Sequence, residues 1–228
     1  MTGRVPPRRS FLTHLGVSAA GIGAMTALVE AQTPAAAAPF QAARHQADDW
    51  MDRIPGKHRV VLDAVSADGA GSALLYANNL YDASQKSYAL GDGDLAIIVV
   101  LRHFATAFAF TDAIWAKYGK AMGELLKFND PNTKQPPVVN VFNGTGYGMA
   151  LTNFGTTIDA LVKHGTRFAI CDAATHFVAG QLAGQAGNAD AIYKELVASA
   201  IPNSTFVSAG VVGVTHAQER GYALIYAG

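Results

Sequence analysis

Apolar and polar positions along the chain alternate between short strand-like runs and longer helix-like ones. The clearest strand is Leu95-Ala96-Ile97-Ile98-Val99-Val100-Leu101, apolar on both alternating faces, as in a parallel sheet covered by helices on both sides. Arg59 to Val65, bounded by Ser66-Ala67-Asp68-Gly69, reads as a strand entering a turn, and Arg167-Phe168-Ala169-Ile170-Cys171 as another buried strand. Thr205-Phe206-Val207 and Tyr222 to Tyr226 complete a set of about five, and Val138 to Phe142 reads as a further short extended segment. Between the strands, helical spacing of apolar positions predicts helices over Ser72–Leu90, Thr106–Ala121, Thr156–His164, Thr175–Gly184, Ala189–Ala200 and Val211–Glu219. Gly91-Asp92-Gly93 and Gly165 serve as helix stops. Strands alternating with helices imply an α/β fold, a mostly parallel open sheet between two helical layers.

Upstream of this pattern, Arg8-Arg9-Ser10-Phe11-Leu12 resembles a twin-arginine export signal. From Leu12 to Val29 the chain is apolar, diluted by Gly, Ser and Thr, with no acidic residue before Glu30, as in the apolar region of a signal peptide. Val29-Glu30-Ala31 and the Ala35–Ala38 run both offer cleavage points, and a membrane-anchoring helix is the competing reading of the segment. The expected organisation is a signal peptide over 1–31, a linker with a short helix around Asp48–Ile54 over 32–57, and one domain over 58–228. The mature protein is then placed in the periplasm, with no membrane span.

Charge narrows the partners. Losing Arg4, Arg8, Arg9 and Glu30 takes the 17 basic and 17 acidic residues to 14 and 16, a net charge near −2. Without a cluster of Lys and Arg to neutralise phosphates, nucleic acid is excluded as a partner. Cys171 is the single cysteine, so no intramolecular disulfide forms and stability rests on the core.

Two stretches carry a family resemblance. Phe168-Ala169-Ile170-Cys171-Asp172 is a strand ending in cysteine before a helix; Ser208-Ala209-Gly210-Val211-Val212, then Ala217-Gln218-Glu219-Arg220-Gly221-Tyr222, is a Gly-Val turn, a short helix and a Gly-Tyr opening to the last strand. Over 58–228 the chain resembles the DsrE/DsrF-like family, and Arg102-His103-Phe104-Ala105-Thr106 with Asp112 to Gly119 resembles an exported branch of it. The resemblance implies a three-layer α/β/α domain, assembly as a trimer or hexamer, and sulfur carried as a cysteine persulfide at Cys171, with a sulfur compound as substrate. Residues 123–155 stand out as an insertion.

Ligands of open parallel sheets bind outside the carboxyl ends of the strands, where both Cys171 and His103 fall. A helix N-terminus after Cys171 favours a thiolate there, and Asp172 opposes it. The competing reading of Cys171 is a packed small hydrophobe. His103 reads either as an acid, base, metal or haem ligand or as a structural cap; His176, with Asp172 or Thr175 capping its helix, reaches toward the same crevice. Gly144, Gly146 and Gly148 form either a phosphate cradle or a mobile loop. His164 and His216 read as surface or capping residues, Phe108 and Trp115 as core, and Asp112 as an ion-pair partner of Lys117 or Arg102.

Overall fold

The computed structural model describes residues 40–228; the Arg8-Arg9 pair, the apolar run and both cleavage points lie outside the described residues. The packed unit begins at Ala42. Five strands, β1 (His58–Ala64), β2 (Leu95–Leu101), β3 (Arg167–Cys171), β4 (Ser204–Val207) and β5 (Ala223–Tyr226), form one sheet in the order β4-β3-β2-β1-β5. All four pairings are parallel. Six α-helices accompany them: α1 (Ala67–Tyr88), α2 (Asp112–Leu126), α3 (Ile158–His164), α4 (Asp172–Ala183), α5 (Ala189–Ala198) and α6 (Gly210–Glu219). This is the expected α/β architecture, and β2 and β3 have the bounds read from the sequence.

The period of two along a strand sends alternate side chains into two separate cores. Leu62, Ile97, Val99, Leu101, Phe168 and Ile170 face one core, shared with α1 to α5; Val61, Ile98, Val100 and Ala169 face the other. Every residue of β2 is buried, which is why its sequence is apolar without alternation. Each such Val, Leu or Ile contributes roughly 1.5–3 kcal/mol through burial. Phe108 and Trp115 stack with ring centroids 5.2 Å apart inside the larger core, as expected of them.

The second core is closed by α6 together with residues before β1. Met51 and Ile54 are buried against Val214, Ala217 and Tyr222. The Tyr222 hydroxyl donates to the Met51 carbonyl at 2.7 Å, and Arg220 donates to Asp52 at 3.2 Å. Residues 45–54, read as linker and short helix, are thus built into the domain; they form a 3-10 turn (Gln46–Asp48) and further turns rather than a helix over 48–54. Their apolar content is too small to show periodicity, although Trp50, Met51 and Ile54 all pack into the second core.

Three other expectations change. The helix read over 106–121 is two elements, a 3-10 turn (His103–Ala109) and α2, parted at Phe110-Thr111. Phe110 pairs with Ala200 and Thr111 N–H donates to the Ser199 carbonyl, which ties this break to the end of α5. Val138–Phe142 forms no strand; Asn140 instead donates its side-chain amide to the Phe108 and Phe110 carbonyls at 2.8 and 2.9 Å. Asp112 accepts the Asn140 backbone N–H at 2.8 Å, so it pins this segment rather than pairing with Lys117 or Arg102. Lys117 pairs with Glu195 and Arg102 with Asp63.

The segment over 123–155 is therefore packed on the domain, and Gly119 of α2 shows how closely. A Cβ at Gly119 would lie 1.8 Å from the Pro137 carbonyl oxygen, so only glycine admits the chain there. Within the glycine-rich run, the Tyr147 hydroxyl donates to Asp130 at 2.6 Å. Among the described residues, no helix is long and apolar enough to cross a membrane.

Candidate functional site

Where β2, β3 and β4 end, the chain leaves the sheet three times within a small space. After β2, Arg102 stays extended and His103 takes φ +52°, a left-handed conformation uncommon outside glycine. This reversal turns the backbone into the 3-10 segment, with the Phe104 and Ala105 N–H groups donating to the Val65 carbonyl. After β3, Cys171 becomes the N-cap of α4, and after β4 the Ser208-Ala209 link leads into α6. A cavity of about 420 Å³ lies between these exits, lined by Arg102, His103, Cys171, Ala174, Phe177 and Val211 among others. It occupies the position that open parallel sheets reserve for ligands.

Cys171 lies in the cavity wall, 6% exposed. Its Sγ accepts the Ala174 backbone N–H at 3.4 Å, the geometry of an N-cap with sulfur in place of oxygen. Thr175 is fully buried and donates its hydroxyl to the Cys171 carbonyl at 2.9 Å, fixing the backbone that carries the sulfur. Cys171 rather than Thr175 or Asp172 is therefore the cap of α4. The N-terminal turns of α4 and α6 both line the cavity, through Ala173 and Ala174 and through Gly210 and Val211. Such ends carry partial positive charge and favour anions.

Arg102 supplies a full positive charge to the same wall. Its Nε and Nη2 donate to the two oxygens of Asp63 at 2.6 and 2.9 Å, a bidentate pair in a largely buried setting. The guanidinium is held above its ordinary pKa chiefly by this hydrogen bond, against the effect of burial, and in part by the charges of Asp63, Tyr226 and Cys171. Gly210 makes the arrangement possible: a Cβ there would lie 2.4 Å from Cβ of Arg102. In the sequence Arg102 stood out only as part of a motif, and its partner Asp63, an acidic position inside an apolar strand, was the signal that a cation stands nearby.

Of the four pocket residues expected beside Cys171, His103 alone lines the cavity, and it is exposed. His176 and Asp172 do not line it. His176 stacks on Tyr193 of α5, ring centroids 3.8 Å apart and planes 6° apart, with Nε2 3.7 Å from Asp172. Asp172 also accepts the Tyr193 hydroxyl at 2.6 Å, and this bond, with burial adding to it, raises the phenol's pKa. Asp172 and His176 therefore fasten α4 to α5. Phe104, Phe177 and Val211, 45, 50 and 53% exposed, rim the cavity in their place.

Among the described residues, no group of three or more His, Cys, Asp or Glu stands together as a metal would require. His164 and His216 have aspartate partners, Asp92 at 3.0 Å and Asp48 at 2.6 Å. No family model matches the chain, and no curated protein sequence does.

Proposed function

We propose that the protein is an exported sulfur carrier that accepts sulfane sulfur as a persulfide on Cys171. The observation that carries this reading is the placement of the single thiol in the wall of an apolar cavity, its Sγ facing an N–H donor and Arg102 close enough to interact electrostatically. The N-terminal turns of α4 and α6 and the Arg102 guanidinium put positive charge around the cavity, and the thiolate is the form of a cysteine that attacks.

In the proposed step the Cys171 thiolate attacks the outer sulfur of a donor R–S–SH. A new S–S bond forms on Cys171, the donor S–S bond breaks, and the electron pair leaves with R–S⁻. The outer sulfur keeps its proton, so charge and atoms balance without a further oxidant. In this step His103, an exposed residue of the cavity lining, protonates the departing thiolate, while Phe104, Phe177 and Val211 admit an apolar donor and hold water off the persulfide. Export by the twin-arginine route, read from Arg8 and Arg9, would place this carrier in the periplasm. A homo-oligomer, trimer or hexamer, is part of the same reading, supported by the exposed Leu224 and Tyr226 on edge strand β5.

Cyanide tests the proposal chemically. Protein treated with polysulfide and desalted should release one thiocyanate per chain, and Cys171→Ser should release none. Equal release from both would defeat the assignment.

A second reading rests on the apolar walls: the cavity holds a small ligand, or a metal or haem through His103, and Cys171 is only packed. An absorption spectrum, metal analysis and ligand binding by His103→Ala separate it from the first.

A further inference from the structure

A further cavity, of about 350 Å³, lies at the opposite end of β3 from Cys171. Trp50, Arg53, Ile54 and Pro55 form one side of it, and Gly165, Arg167 and Asn203 the other. Arg167 is the first residue of β3 and Cys171 the last, so the two cavities are separated by the length of the strand, roughly 13 Å at 3.3 Å per residue.

The arginines of this protein divide sharply. Among the described residues, Arg44, Arg59, Arg102 and Arg220 each stand within ion-pair distance of an aspartate. Arg53 and Arg167 pair with none, and both line this one cavity, whose wall contains no Asp or Glu. Asp52, the nearest acid in sequence, is engaged by Arg44, Arg59 and Arg220. Arg167 is half-buried, a costly place for a guanidinium without a counter-charge.

Two donors of the lining residues are also unmatched. Trp50 Nε1 and Arg167 Nε are shut off from solvent, and neither has a hydrogen-bond partner among the described residues. Folded proteins leave few buried donors in that condition. The nearby backbone does not meet the need: Asn203 Nδ2 already takes the Val162 and Thr166 carbonyls, at 3.2 and 3.3 Å. What the cavity lacks is a negatively charged hydrogen-bond acceptor.

We propose that this cavity binds a small organic carboxylate, the carboxylate between Arg53 and Arg167 and the apolar body against Trp50, Ile54 and Pro55. A planar guanidinium matches a carboxylate through two parallel hydrogen bonds, and the indole and proline surfaces suit a carbon skeleton better than an inorganic ion. The site is independent of Cys171 and of the sulfur chemistry assigned to it.

Tryptophan emission reports on it directly, because Trp50 is in the wall and the other tryptophan, Trp115, is fully buried in the core. Benzoate is the probe, benzamide its uncharged counterpart and inorganic phosphate the non-organic anion, all at equal ionic strength. Benzoate should change the emission saturably, with benzamide and phosphate binding roughly tenfold more weakly or worse. Arg167→Gln should weaken benzoate by a similar factor, with circular dichroism checking its fold; Arg53→Gln, at an exposed position, repeats the test should Arg167→Gln not fold. Benzamide binding as well as benzoate, phosphate binding as well as benzoate, or folded arginine variants that bind benzoate unchanged would each overturn the proposal.

Discussion

Arg102 grips both carboxylate oxygens of Asp63, at 2.6 and 2.9 Å, beneath the wall that carries Cys171. Asp63 is nearly inaccessible and lies in β1, beside Val100 of β2 and Tyr226 of β5. The pair therefore joins the centre of the sheet to the cavity, and its loss should register in both stability and chemistry. Arg102→Met leaves a buried carboxylate unpaired and should cost about 3–5 kcal/mol in chemical denaturation. In the fraction that remains folded, alkylation of Cys171 by iodoacetamide should slow. Asp63→Asn with Arg102→Met should recover part of the stability but not the alkylation rate.

Gly210→Ala tests the same contact from the other side. The added methyl would stand 2.4 Å from Arg102 Cβ, so α6 or Arg102 must shift. A loss of about 1–3 kcal/mol is expected, the usual range for an overpacked site. An unchanged melting curve would show that the approach of α6 to Arg102 is looser than described.

At the start of the domain, Met51 is fully buried against the second core. Met51→Ala should destabilise by about 2–5 kcal/mol, as for other large-to-small core changes. A variant beginning at residue 57 should lose at least as much. Either measured at wild-type stability would return residues 45–54 to the status of a linker.

The segment over 123–155 supplies a pH prediction. Burial alone would raise the Asp130 pKa, but hydrogen bonds from Tyr147 and from the Thr133 and Asn132 N–H groups outweigh it and hold the carboxyl below its ordinary value. Burial first, and then Asp130, pushes the Tyr147 phenol up to about 12. A carboxyl with a lowered folded-state pKa stabilises the fold above its unfolded value, and that contribution is lost as pH falls through the folded value. Tyr147→Phe should therefore cost about 1.5–3 kcal/mol at neutral pH, with the difference from wild type shrinking in acid. A difference that grows in acid would reverse the sign and contradict the assignment.

How far the sequence could be read depended on how much periodicity each segment carries. β2 and β3 are apolar on both faces because both faces are covered, so their ends were visible as the ends of the runs. The break at Phe110-Thr111 was hidden because the 3-10 turn and α2 are both rich in buried apolar residues, and the break is fixed by a distant partner, Ala200. The Cys171 and His103 placement followed from strand ends. The displacement of His176 was legible in principle: Ala174 and Phe177 are three apart on the cavity face of α4, whereas Asp172 and His176 are four apart on a different one. Arg102 pairing with Asp63 joins residues 39 apart through sheet register, which no local pattern reveals.

Cys171 is the proposed sulfur acceptor, and because it is the only cysteine, intact mass compared between wild type and Cys171→Ser reports on it. Folded protein incubated with polysulfide or thiosulfate should gain the mass of one sulfur atom, reversibly on reduction, and Cys171→Ser should gain none. Unmodified mass, on protein whose Cys171 is alkylated readily by iodoacetamide, would contradict the account and leave the cavity as a binding site with a packed thiol in its wall.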